Sequence, residues 1–112
     1  MNDQVKEIEL DIEHAKEMIK LEEAMLRLKK NKDFELLILE EYFKKEAVRY
    51  VEALSAPNLQ DQKYQDAIHR AMRSIGELKQ FFNKISHNAD MAKSAIEEGR
   101  QAIDEMAEDG EL

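Results

Sequence analysis

Apolar residues recur at steps of three and four from the start of the chain, at Val5, Ile8, Ile12, Ala15 and Ile19, with mostly charged residues between them. That spacing marks one face of a helix and predicts a first helix from about Asp3 to Lys30. Further along, the apolar positions move to Met18, Leu21, Met25 and Leu28, a phase change that rotates the buried face partway down the helix. Lys29, Lys30 and Lys32 put positive charge where the helix dipole is negative, and Asn31 suits a left-handed C-cap.

Asp33 is then the expected N-cap of a second helix, which Ser55, Ala56, Pro57 and Asn58 bring to an end. Leu36, Leu39, Phe43, Ala47, Tyr50 and Leu54 form its main stripe. Leu37, Ile38, Tyr42, Val48 and Val51 widen the apolar arc beyond that of a surface helix, so this helix is expected to be the most buried element. Its tyrosines suit boundary positions, with the ring packed and the hydroxyl in water.

After a short connection over residues 57–60, with Asn58 or Asp61 as the next cap, the pattern becomes regular. Tyr64, Ile68, Ala71, Ile75, Leu78, Phe82, Ile85, Ala89, Ala92, Ile96, Gly99, Ile103 and Met106 alternate steps of four and three, a 3.5-residue period that marks a coiled-coil seam. Ile68, Ile75, Phe82, Ala89, Ile96 and Ile103 take the a positions; the d set is too mixed to specify orientation or strand number. The larger residues of this seam, Ile68, Ile75, Phe82, Ile85, Ile96, Ile103 and Met106, are the candidate protein-interface residues. Ala89, Ala92 and Gly99 narrow the second half, which lets helices approach closely but buries little area.

Together these patterns predict an all-α fold of three helices. The first two form an N-terminal hairpin, and the second packs on the first half of a long, coiled-coil-like third helix. Ser86, His87 and Asn88 interrupt the good helix formers, so a bend near Asn88 competes with one unbroken helix of roughly 70 Å. The expected division is a helical core over residues 1–88 and a projecting acidic helix or tail over residues 89–112.

Composition fits this picture. The chain has 112 residues, one proline and three glycines, with 38% charged and 43% hydrophobic residues, which favours a single domain of long helices with few breaks. The absence of cysteine removes disulfides, thiolate chemistry and cysteine zinc sites. Asp3, Lys6, Glu7 and Glu9 break up the first ten residues, so no Sec-type signal is expected, and no apolar run reaches the roughly 18 to 20 residues of a membrane span. Net charge is −8, and residues 90–112 alone carry −6, so the acidity is concentrated at the C-terminal end.

Catalytic chemistry finds little support. Asp11 precedes His14, and Asp66 precedes His69, by three residues, a spacing that echoes di-metal helix bundles. Both pairs flank seam residues and are expected to face outward. Ser86 and His87 are neighbours without a nucleophile elbow, and the chain has no Gly-rich phosphate loop, HExxH or EF-hand pattern. Lys63, Arg70 and Arg73 are interspersed with Asp66 and Glu77 and form no basic face for nucleic acid. No catalytic, cofactor-binding or metal-binding residue is assigned.

The stretch DFELLILEEYFKKEAVRYVEALSAP from Asp33 to Pro57, followed by IGELKQFF from Ile75 to Phe82, resembles small helical proteins of tailed-bacteriophage virion and DNA-packaging gene cassettes. The general likeness covers roughly residues 15–96 and brings no catalytic signature. It implies a non-enzymatic structural or assembly protein near a capsid, portal or packaging component, acting through helix-mediated self-association or docking. It also implies partners that are further copies of the chain or a larger phage complex, and a place in the host cytoplasm during assembly, with the virion as an open alternative. The lack of an apolar run and of a basic face leads to no expected membrane or direct nucleic-acid contact. The alternative expectation, motivated by the acidic end, is a helical regulator of a host or phage DNA-handling protein.

Overall fold

The computed structural model describes residues 3–110, and they form an all-α protein with three helices. Helix α1 is Asp3–Lys29, with Asp3 in its first turn and Arg27 and Lys29 in its last, as the dipole favours. Helix α2 occupies residues 32–54 as a continuous run of an α turn, Lys32–Phe34, a π-helical stretch, Glu35–Glu46, and an α segment, Ala47–Leu54. A single 3-10 turn, Pro57–Leu59, leads to α3, Gln62–Glu108. Ser86, His87 and Asn88 lie inside α3 and do not break it.

The α1–α2 turn corrects two expected caps. Asn31 is not left-handed; its backbone is extended, at φ −70° and ψ 125°. Its side-chain oxygen accepts from the Phe34 amide at 3.0 Å, and its carbonyl accepts from the Glu35 amide at 2.9 Å. Asn31, not Asp33, is therefore the N-cap of α2, because its amide oxygen reaches an orphan donor of the first turn while Asp33 already lies within that turn. At the start of α3, Asp61 takes the corresponding place, and its carbonyl accepts from the Tyr64 and Gln65 amides at 3.0 and 3.1 Å.

Residues up to Met25 and those from Lys84 onward belong to one compact unit. Its core joins Ile12 and Ala15 of α1 to Ala92 and Ile96 of α3, with Ile8, Met18, Ile19 and Ile103 packed around them. The two segments run in opposite directions: Gly99 lies against Ile8 and Ile12, while Glu22 pairs with Lys93 at 3.0 Å. The Glu22 carboxylate pushes the Lys93 ammonium above its ordinary value, first by hydrogen bonding and then by charge. Residues of α3 beyond position 88 pack with α1 inside this unit. Ala89 is fully buried, and Ala92 and Ile96 are buried with it. The small residues that narrow the stripe let α1 come close enough to cover it. Over residues 8–19 the first helix takes its core partners from α3.

Residues 26–83 form the other unit. Here α2 runs antiparallel to the first part of α3: Phe34 and Phe43 both meet Phe82 edge-on, at centroid distances of 5.9 and 6.2 Å, and Leu54 lies near Gln65. The Gln65 side-chain amide donates to the carbonyls of Leu54 and Leu59, and that of Gln60 donates to Leu54 and Ala56. These two glutamines satisfy acceptors that the end of α2 and the 3-10 turn leave without helical partners. Ile68 and Ile75 of α3 are buried.

The two glycines inside α3 have opposite surroundings. A Cβ at residue 99 would sit 3.1 Å from Ile8 Cγ2 and 3.2 Å from Ile12 Cδ1 and Cγ1, whereas one at residue 76 meets nothing within 4 Å. Gly76→Ala should therefore raise stability by up to about 1 kcal/mol through helix propensity, and Gly99→Leu should lower it by about 1–3 kcal/mol through overpacking. Urea unfolding of the two variants checks both signs.

Candidate interaction surface

The seven interface residues expected from the heptad seam are largely covered by the chain itself. Ile68, Ile75 and Ile96 are buried, and Phe82, Ile85, Ile103 and Met106 are half-buried. Ile96 packs with Ile12, Ala15 and Ala92, and Ile103 packs against that cluster. Phe82 is enclosed by Phe34 and Phe43, with the Lys29 ammonium 5.8 Å from its ring centroid. Within the chain the seam thus serves as a packing stripe, with Phe82, Ile85, Ile103 and Met106 still partly open. A 3.5-residue period indicates that a helix is covered by helices; it carries no information on whether the covering helix belongs to the same chain.

Large hydrophobics are exposed on every helix, Leu10 and Leu21 on α1 and Phe81 and Met91 on α3 among them, and four aliphatics are exposed on α2, the element expected to be most buried. None of its residues is buried. Leu36 is 56% exposed, Leu37 61%, and Val48 and Val51 55% each. For Leu36 and Leu37 the winding of the helix accounts for the difference, whereas Val48 and Val51 lie in the α-helical segment Ala47–Leu54. The i→i+5 bonding of residues 35–46 places more residues in each turn than the α-helix's 3.6. Phe34, Ile38, Leu39, Tyr42, Phe43, Ala47, Tyr50 and Leu54 consequently make up the half-buried face, and Leu36 and Leu37 turn outward.

Charged pairs separate the exposed aliphatics. Lys44 donates to Glu40 at 3.1 Å and Lys45 to Glu41 at 3.0 Å, each four residues apart, while Arg49 reaches Glu46 at 3.1 Å and Glu41 at 3.4 Å. The hydrogen bond from Lys45, aided by its charge and by Arg49 and only partly opposed by burial, holds the Glu41 carboxylate below the usual 4.5. Glu46 and then Glu41 push the Arg49 guanidinium upward in turn. Such exposed pairs contribute little to folding, which leaves their charges open to exchange partners. On the adjoining side of α2, Leu39, Phe43 and Phe82 floor a shallow groove with Lys29, Lys79 and Asn83, and the Lys79 ammonium is 5.3 Å from the Phe43 centroid.

The residues weighed for chemistry are dispersed. Asp11, His14, Asp66 and His69 are all exposed, and the Gln62 amide donates to Asp66 at 2.7 Å. Asp11 and His14 edge a shallow groove with Met18 and Met91. His87 is exposed beside half-buried Ser86. Among the described residues, no three His, Cys, Asp or Glu side chains gather where they could hold a metal ion. No helix there is long and apolar enough to cross a membrane.

Charge divides between the two units. Residues 1–25 and 84–112 hold sixteen carboxylates against six Lys and Arg, a net of −10, while residues 26–83 carry +2. The acidity assigned to the C-terminal end is thus matched by an equally acidic N-terminal segment in the same unit. No protein-family model, curated protein or solved structure matches the chain.

The Glu41 shift sets a sign for acid dependence. A carboxylate whose folded value lies below its unfolded one adds stability above the unfolded value and loses it as pH falls through the folded one. Unfolding free energy should accordingly fall below about pH 4.5, and Glu41→Gln should make that acid decline shallower. Urea denaturation across pH 3 to 7 reads the difference between the two slopes.

Proposed function

We propose that this chain is a non-enzymatic helical assembly protein that acts by docking the outer face of α2 on a protein surface. The observation that carries the reading is the set of four aliphatic residues, Leu36, Leu37, Val48 and Val51, each more than half exposed on one helix. Isolated exposed aliphatics are ordinary, but several on one helix whose inner face is already packed fit an interaction surface. The resemblance of residues 33–57 to tailed-phage virion and packaging proteins falls on this same helix and supports a setting at a capsid, portal or packaging component. Assembly would then take place in the host cytoplasm.

A second reading is favoured by the net −10 of the other unit: an acidic helical surface that engages a basic DNA-handling protein of host or phage. The two readings use different residues. In the assembly reading, Leu36→Asp with Val48→Asp abolishes co-sedimentation with prohead or virion particles and leaves helical content unchanged. In the regulator reading, the same variant binds as before, and raising salt from 50 to 300 mM releases the partner. A chain that neither self-associates nor sediments with particles contradicts the assembly reading.

A further inference from the structure

We propose that α2 pairs with α2 of a second copy of this chain, antiparallel and across a two-fold axis passing between Tyr42 and Phe43. This inference rests on the assembly reading and identifies one occupant of the surface it uses. The order of charges along this face selects the register. Leu36 and Leu37, Glu40 and Glu41, and Lys44 and Lys45 follow one another at four-residue steps, and Val48 comes next. Reversing the helix about its Tyr42–Phe43 midpoint sets Glu40 over Lys45, Glu41 over Lys44, and Leu37 over Val48, while Leu36 meets the aliphatic stem of Arg49.

Two-fold symmetry repeats every one of these contacts, since a contact from residue i to residue j also occurs from j to i. The opposite orientation fails on electrostatics. Parallel helices in register would set Glu40 and Glu41 against their own copies, and Lys44 and Lys45 likewise, an arrangement of like charges that is strongly disfavoured. Most of the face is open: the Glu40, Lys44 and Lys45 side chains are 51%, 68% and 58% exposed, Glu41 is 37% exposed, and the aliphatics Leu36, Leu37 and Val48 are more than half exposed. The intrachain pairs Glu40–Lys44 and Glu41–Lys45 are solvent-exposed, so sharing their charges with a neighbour forfeits little. A single helix face is smaller than the roughly 800 Å² per partner of a permanent complex, so the association is reversible and concentration-dependent.

The test uses two full-length double variants, Glu40→Lys with Glu41→Lys, and Lys44→Glu with Lys45→Glu, in sedimentation equilibrium. Each alone presents one sign of charge along the face and should self-associate at least about tenfold more weakly than the original chain. Mixed in equal amounts, they should form a heterodimer at least as tight as the original homodimer. Loss of the intrachain pairs cannot produce that recovery, because each chain keeps its own substitutions in the mixture.

A mixture that associates no better than its components, with both chains helical by circular dichroism, overturns the proposal. Self-association that neither double variant weakens also overturns it and moves the contact elsewhere, leaving the assembly reading intact. An original chain that stays monomeric at millimolar concentration overturns the pairing too, and the assembly reading then stands or falls on particle co-sedimentation. If a double variant loses helicity, Leu37→Ser gives the same readout without touching a charge: weaker self-association is expected, and unchanged association counts against this face.

Discussion

The close approach of α1 and α3 along Ala89, Ala92 and Gly99 is the constraint on which the architecture turns. Small side chains bury little apolar area themselves, but they admit the isoleucines opposite them, and each isoleucine removed from water contributes about 1.5–3 kcal/mol. Ile8 and Ile12 lie within van der Waals reach of residue 99, and Ile12 joins Ala15, Ala92 and Ile96 in the core. The α3 stripe beyond residue 88 is thereby occupied by the chain's own first helix. Lys93 and Glu22 sit beside this contact and add a charge pair between the same two segments.

With that stripe occupied, α2 carries four of the exposed large aliphatics, Leu36, Leu37, Val48 and Val51, while Leu10, Leu21, Phe81 and Met91 are exposed on α1 and α3. The π-helical winding of residues 35–46 brings Phe34, Ile38, Leu39, Tyr42 and Phe43 to the inner side, where Phe34 and Phe43 grip Phe82. The same winding leaves Leu36 and Leu37 outside, beside alternating blocks of glutamate and lysine. Half-buried and exposed apolar residues are thus divided between the two sides of one helix. Segregation of charge between the two units adds a second character, one acidic and one close to neutral.

Much of the fold was legible in the chain. The three- and four-residue periodicity located all three helices to within a few residues of their observed ends, because backbone periodicity is a local property. The pattern admits either a bend or continuity of α3 at Asn88, and it does not separate Asn31 from Asp33 as the cap, because the two are equally good local acceptors. Tertiary facts were less accessible. Burial of Ile96 and Ile103 depends on α1 reaching them from more than seventy positions away, and exposure of Leu36 and Leu37 depends on π winding that no proline or glycine between residues 35 and 46 announces. The interface was sought on the most regular stripe, yet a regular stripe is what an intrachain partner also requires.

Because the chain contains no cysteine, a single engineered pair reports directly on the contact between α1 and α3. Ile12→Cys combined with Gly99→Cys places two thiols where the packing of these residues is closest, and oxidation at low protein concentration followed by mass analysis shows which chains they join. The account predicts an intrachain disulfide with the mass of one chain. Cross-linked dimers as the product at high dilution would mean that the α3 stripe is covered by another copy, and would contradict it.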